Sequence, residues 1–140
     1  MNQQNVDMFI LNKGSFFPES SLYMIRERIS KCDDSYLSRL LSANFKNPMT
    51  GFLYSIGLGP YGADRFYMGQ VFIGILKLLL SLSLLVTYVP LCFNDNPNPI
   101  IVGILFMQIF CVLIWYIFDI FRISNIIKEY NFTYLLTLLN

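Results

Sequence analysis

The sequence predicts an all-α integral membrane protein: a transmembrane helical hairpin preceded by a short glycine-rich half-helix and two N-terminal amphipathic helices. Two observations lead to this prediction. Hydrophobic residues make up 55% and charged residues only 14% of the 140 residues, with a mean hydropathy of +0.52, which is far more apolar than an average soluble domain. In addition, residues 71–93 and 100–121 are two apolar runs, each longer than the ~20 residues that cross a ~30 Å hydrocarbon core.

The first 48 residues are expected to form two short amphipathic helices. One begins after two serines, which are good N-cap residues, and places Leu22, Ile25 and Ile29 on one face. The other begins at residues 33–35 (DDS) and carries the leucines Leu37, Leu40 and Leu41. A segment of this length can hardly build an independent core. Its apolar faces are therefore expected to rest on the inner leaflet, on the spans or on a neighbouring subunit.

Residues 50–62 (TGFLYSIGLGPYG) form a third apolar piece, which is too short to cross a bilayer unaided. As a helix it reaches only ~20 Å at ~1.5 Å per residue. Two arrangements remain open: a half-inserted, re-entrant helix, or a tilted first span that runs on towards Gly69. We favour the half-inserted helix, because a full crossing would move the basic residues that precede it to the outside.

The distribution of Lys and Arg predicts the orientation of the spans. Residues 94–99 (NDNPNP) form a turn of helix breakers between the spans and contain no basic residue. Two basic residues follow the second span, and six precede the apolar region: Lys13, Arg26, Arg28, Lys31, Arg39 and Lys46. The positive-inside rule therefore places both termini in the cytoplasm. Residues 1–48 are then a cytoplasmic helical region, residues 49–123 the membrane domain, and residues 124–140 a cytoplasmic or interfacial tail.

The glycines of residues 57–62 (GLGPYG) satisfy the GxGxxG pattern of dinucleotide-binding turns, but their surroundings exclude that function. The pattern requires an acidic residue ~20 positions further on, and none occurs between Asp64 and Asp95. Pro60 also removes one of the amide donors that would face a phosphate. The sequence therefore predicts no bound dinucleotide here.

The titratable residues exclude several other chemistries. The chain has no histidine, which is the commonest general base and zinc ligand. Its three cysteines, Cys32, Cys92 and Cys111, lie too far apart to form a zinc site by themselves. A net charge of +1 gives no electrostatic basis for binding nucleic acid. We therefore expect no metal, no cofactor and no nucleic-acid partner.

Small residues recur at every fourth position, at Ser55, Gly59 and Ala63. They would form a ridge that lets another helix approach closely. This requires the helix to continue through Pro60, which membrane helices tolerate with a kink. Alternatively, the glycines only permit a tight turn. Both interpretations remain open on the sequence alone.

Each predicted span contains one charge, Lys77 in the first and Asp119 in the second. A charge within a bilayer costs several kcal/mol unless it is paired or reaches the surface. In a hairpin closed by residues 92–99, Asp119 lies ~7–8 Å nearer the cytoplasm than the position opposite Lys77, within reach of a bending lysine side chain. Arg65 and Arg122 are alternative partners for Asp119.

Polar and small residues also form a stripe on each span. The first stripe contains Gly74, Lys77, Ser81 and Tyr88, and the second contains Gln108, Cys111, Trp115, Asp119 and Arg122. Two such stripes predict a seam between the helices. Either the seam lines an ion or proton path, or it clamps the helices in register. The clamp is favoured, because one Lys and one Asp are few for a path.

Residues 57–78 (GLGPYGADRFYMGQVFIGILKL), followed by residues 114–121 (IWYIFDIF), resemble the two-transmembrane (TM-two) domain family. The likeness covers residues 50–123, and residues 6–29 are similar to the leader of bacterial members. The linker differs, because it is longer here and rich in proline where the family usually has a short, glycine-rich one. The positions that match the family pattern are Gly59, Gly62, Asp64, Arg65, Phe66, Tyr67, Gly69, Gly74, Leu76, Lys77, Leu78, Trp115 and Asp119.

The resemblance implies a multi-pass protein of the bacterial inner membrane and says little about activity. The first functional hypothesis is a non-enzymatic scaffold or adaptor in the lipid bilayer, with a second copy or another membrane protein as partner. It would dock through the small-residue ridge and the N-terminal helices. The alternative is a small oligomer that conducts ions or protons along Lys77 and Asp119. An intramembrane enzyme is disfavoured, because its acid–base groups would reduce to Asp64, Lys77 and Asp119.

Overall fold

A computed structural model describes residues 2–33, 35–94 and 96–139. Within these ranges the chain forms helices and no strand. It divides into two compact units, a terminal unit (Met1–Thr50 with Ser124–Asn140) and a hairpin unit (Gly51–Ile123). The α-helices are α1 (Gln3–Lys13), α2 (Leu22–Ser30), α3 (Tyr36–Ser42), α4 (Pro48–Leu58), α5 (Ala63–Met68), α6 (Val71–Cys92) and α7 (Pro99–Leu139).

Two helices, α6 and α7, are long and apolar enough to cross a membrane. Their most apolar stretches have mean hydropathies of 2.2 and 2.6, and little of either stretch is buried within the chain. Exposing this much apolar surface on two long helices to water would be unfavourable. The bilayer is therefore the environment that suits them. The predicted all-α membrane fold is confirmed.

The second apolar helix is much longer than predicted. The sequence predicts a span over residues 100–121 with a separate tail, whereas α7 continues to Leu139 and contains 41 residues. At ~1.5 Å per residue it is about 62 Å long, roughly twice what a crossing requires. Neither glycine nor proline follows Gly103 in α7, so no helix breaker ends the helix where its apolar stretch ends.

The turn between the spans is held by asparagine side chains. Asn94 Oδ1 accepts a hydrogen bond from the Asn96 amide at 3.1 Å. Asn98 Oδ1 accepts one from the Ile100 amide at 2.9 Å and so caps the start of α7. Asp95, the single acid of this turn, lies outside the described residues, as do Asp34 of the predicted DDS start and the side chain of Leu37.

The glycine-rich segment forms a short helix followed by a tight turn. Helix α4 ends at Leu58, a 3-10 turn covers Gly59–Tyr61, and α5 starts at Ala63. Gly62 has φ +79°, in the left-handed region that favours glycine. The proposed ridge through Ser55, Gly59 and Ala63 on one continuous helix is therefore wrong, and the tight turn is the correct alternative.

The terminal unit has its own core, which the sequence analysis did not anticipate. Its N-terminal part contains three helices instead of two, because α1 also forms. The end of α7 completes the core with Leu135, which packs with seven buried side chains of the first 48 residues. The fully or nearly fully buried side chains are Val6, Phe9, Phe17, Ile25, Ile29, Leu40, Phe45 and Leu135.

Asn131, on α7, connects three segments of the terminal unit and is completely buried. Its Nδ2 donates to the carbonyl oxygens of Phe16 at 3.0 Å and Lys46 at 2.7 Å, and its Oδ1 accepts from the Lys46 amide at 2.9 Å. One side chain thus satisfies three backbone groups that would otherwise lack partners in the core. Residues 131–133 (NFT) match the N-glycosylation sequon. Because Asn131 is buried, its amide nitrogen is inaccessible in the folded chain.

Replacing Asn131 with alanine is expected to destabilise the terminal unit by about 2–4 kcal/mol, because three buried backbone groups lose their partners. Hydrogen exchange of the Lys46 amide, in protein held in detergent micelles, measures the effect. Asn125→Ala is the matched control, since Asn125 is exposed on the same helix. Equal protection of the Lys46 amide in the two variants would contradict this account.

Candidate functional site

The hairpin unit encloses four charged side chains, Asp64, Arg65, Lys77 and Asp119, which we call the ion quartet. Three helices contribute: α5 provides Asp64 and Arg65, α6 provides Lys77, and α7 provides Asp119. Their exposed fractions are 0%, 8%, 4% and 4% in that order. The quartet is therefore closed off from the surface of the chain, although all four residues are of types that are rarely buried.

Each cation of the quartet meets both anions. Lys77 Nζ lies 3.0 Å from Asp64 Oδ2, and Arg65 Nε lies 3.4 Å from the same oxygen. Both cations also form ion pairs with Asp119, Arg65 through Nη2 and Lys77 through Nζ. Two positive and two negative charges give a net charge of zero. This arrangement is what buried ions require, because an unpaired charge in a low-dielectric interior is very costly.

Neutral groups also contact the two cations. Arg65 Nη1 donates to Gln70 Oε1 at 3.0 Å, and Lys77 Nζ donates to the Gly59 carbonyl at 3.3 Å. The Lys77 ammonium also lies 6.0 Å from the centroid of the Trp115 ring, at the outer limit of a cation–π contact. The quartet thus fastens α5, α6 and α7 together with the turn before α5.

Glycines bring the backbone close enough for these contacts. A Cβ atom on Gly62 would lie 2.6 Å from the Gly74 carbonyl oxygen, and one on Gly74 would lie 2.8 Å from the Phe66 ring. Neither position has room for a side chain. Gly69, with φ +80°, ends α5 and lets the chain turn into α6. These glycines are the local reason that Asp64 reaches Lys77.

The structure brings together Lys77, Asp119 and Arg65, as the predicted hairpin register allows, and adds Asp64. Trp115 and the Phe66 ring lie beside this group. The predicted stripes hold only in part. Gly74, Lys77 and Ser81 are buried, whereas Tyr88, Cys111 and Arg122 are exposed and do not belong to a seam. Arg122 forms no ion pair with Asp119 in the described part of the chain.

Three contacts of the hairpin unit were not foreseen. Ser81 Oγ donates to the Pro60 carbonyl, and the Tyr116 hydroxyl donates to the Ile56 carbonyl at 2.8 Å. Gln70 accepts from Arg65 as described. Each contact joins a side chain to a loop or helix end whose position depends on the tertiary fold, so spacing in the sequence could not reveal them. Nothing in the sequence distinguishes Tyr116 as a contact residue, because its span contains many other aromatic residues.

Tyr116 also covers Gly59, the first residue after α4. A Cβ atom on Gly59 would lie 3.2 Å from the Tyr116 ring, and Ser55 is completely buried. These residues are thus occupied inside the chain, which corrects the hypothesis that the ridge docks a neighbouring chain.

The chemistry open to the quartet is limited by its enclosure. Beside it lies a cleft of about 10 Å³ lined by Gly59, Pro60, Lys77, Leu80, Ser81, Val112, Trp115 and Tyr116, a size near the minimum for one water molecule. Among the residues that the structure describes, no group of three His, Cys, Asp or Glu side chains could hold a metal ion. The arrangement is suited to holding helices in a fixed register.

Removing one charge of the quartet is expected to destabilise the hairpin unit by about 3–5 kcal/mol, because a buried partner is left uncompensated. We expect Lys77→Met to show this loss in unfolding titrations with SDS in mixed micelles. The double variant Lys77→Met with Asp64→Asn restores neutrality and should lose much less than the sum of the single variants. Arg122→Met, on an exposed site of α7, serves as the control. Additive losses would show that the charges are not coupled.

Comparison with known proteins agrees with the predicted family. Residues 44–92 match the TM2 domain, so the match covers α4, α5 and α6 together with three members of the quartet. It does not extend to Trp115 and Asp119, which the resemblance over residues 50–123 had included. No curated protein and no solved structure matches the chain. What the comparison identifies is thus a TM2 domain match over residues 44–92, in agreement with the resemblance noted in the sequence.

Proposed function

We propose that this protein is a non-enzymatic scaffold or adaptor of the bacterial inner membrane, acting as a homo-oligomer or with another membrane protein. One observation carries the proposal: all four charges of the hairpin unit's interior are paired with one another. A group that neutralises its neighbour and holds a helix in place is not free to carry an ion or to exchange protons with a substrate. The quartet therefore supports a structural role.

An ion path would require a different arrangement. Charged or polar groups would have to line a continuous, water-accessible channel. The four side chains of the ion quartet are at most 8% exposed, and the cleft beside them has room for about one water. Any path in an oligomer would have to use other residues or open the quartet.

The remaining candidates for docking are the outward faces of α6 and α7. Large apolar side chains cover these faces, including Phe72, Val86, Phe106, Phe110 and Phe121. Lipid covers such a surface in a monomer, and a second copy or another membrane protein covers part of it in an assembly. Ser55, Gly59 and the apolar faces of the N-terminal helices already pack inside their own units. They therefore do not support docking of a partner through these residues.

The proposed orientation places both termini in the cytoplasm, and its support is the distribution of charge. Six basic residues precede α4, whereas the described residues of the turn between α6 and α7 carry no charge. A cysteine in that turn, Asn96→Cys in a background without native cysteines, is expected to react with a membrane-impermeant maleimide in intact cells. A variant that keeps only the native Cys32 should react only after the cells are opened. The reverse pattern would overturn the orientation.

The function is tested in lipid with the full chain. After reconstitution, we expect a stable number of copies above one in nanodiscs, measured by mass photometry, and no ion or proton flux above that of empty vesicles. Asp119→Asn is the informative variant. If vesicles pass ions and this substitution changes the flux while the number of copies stays constant, the conducting alternative replaces the scaffold. A monomer in nanodiscs would remove the homo-oligomer from the proposal.

A further inference from the structure

The segment formed by α4 and the turn after it presents an apolar surface to the outside of the hairpin unit. No charged residue occurs from Asn47 to Ala63. On its inner side Gly59 packs on Tyr116 and Ser55 is fully buried, whereas Leu53, Ile56 and Leu58 are 59%, 45% and 50% exposed. A surface of this kind requires a covering other than water.

The contacts of the turn show how deep it reaches along the spans. Gly62 touches α6 at Gly74, about 5 Å from the start of that helix at ~1.5 Å per residue. Pro60 is bonded to Ser81, which is about 15 Å from the same end by the same measure. Helix α6 is about as long as the hydrocarbon core is thick, and the tip of the turn reaches the level of Ser81, near the middle of that helix.

Three carbonyl groups at the end of α4 and in the turn accept hydrogen bonds from side chains of the spans. Tyr116 donates to the Ile56 carbonyl, Lys77 to that of Gly59, and Ser81 to that of Pro60. A helix end in water needs no such donors, because water satisfies it. At membrane depth, irregular backbone is tolerated only where the protein satisfies its polar groups. The three bonds are of the kind that a broken helix inside a bilayer requires.

We infer that α4, the turn and α5 form a re-entrant loop, and that the acyl chains of one leaflet cover the outer face of α4. The loop enters and leaves on the side where α6 begins, since α5 ends at Gly69, directly before that helix. Lipid is the occupant that the observations favour, because the face is free of charge and continuous with the lipid-exposed surface of the spans. The inference does not depend on the proposed scaffold function.

Spin labels on single cysteines test the inference in the full chain, reconstituted in vesicles of phosphatidylcholine and phosphatidylglycerol. The test positions are Leu58→Cys and, as a second site in case the first disturbs the fold, Ile56→Cys. Val86→Cys on α6, where the native side chain is 74% exposed, is the lipid reference, and Asn96→Cys in the turn between the spans is the aqueous reference. Each label is measured for collisions with oxygen, which enters lipid, and with a water-soluble nickel chelate, which does not.

We expect both test labels to collide with oxygen as the Val86 label does, and with nickel at least about tenfold less often than the Asn96 label, because polar solutes are excluded from hydrocarbon. Nickel collisions equal to those of the Asn96 label would place α4 in water and overturn the inference. Protection from both reagents would also overturn it, since a second copy or another protein would then cover the face.

Discussion

The neutrality of four buried charges is the constraint on which the hairpin unit depends. Bringing any one of Asp64, Arg65, Lys77 and Asp119 into this interior alone would cost more than a small protein's whole stability allows. Together they cancel, and three of the four ion pairs link different secondary-structure elements. The quartet therefore acts at the level of the fold. It selects one register of α6 against α7 and one position of α5 on both, because a shifted register would separate charges that have no other partners.

The four charges can form their ion pairs only because the backbone allows α5 and α6 to approach each other closely. Gly62 contributes a left-handed conformation, and Gly62 with Gly74 allows an approach that no Cβ atom would permit. Gly59 and Gly62, two of the three glycines that look like a phosphate-binding turn, thus serve close packing between helices. Glycine suits both a phosphate-binding turn and a close helix contact, because both require the backbone to approach its partner without an intervening side chain.

The fold was predictable to the extent that it follows from local patterns. Apolar length located α6 within one residue, and simple helix geometry predicted that Lys77 can reach Asp119. The end of the second helix was not predictable in this way, because hydropathy reports where a helix leaves the apolar region and not where helical hydrogen bonding stops. Asn131 was missed for a different reason. Its partners, Phe16 and Lys46, lie 115 and 85 residues away in the chain, and no short-range pattern encodes such a contact.

The burial of Asn131 has a consequence for producing this protein in other cells. Its amide nitrogen, the atom that oligosaccharyltransferase would modify, is already committed to two carbonyl oxygens in the core of the terminal unit. A glycan attached there during synthesis in a secretory compartment would occupy the space into which those carbonyls must move. Glycosylation and folding of the terminal unit are mutually exclusive outcomes for any one chain, so a glycosylated product from a eukaryotic host would consist of chains whose terminal unit had never closed.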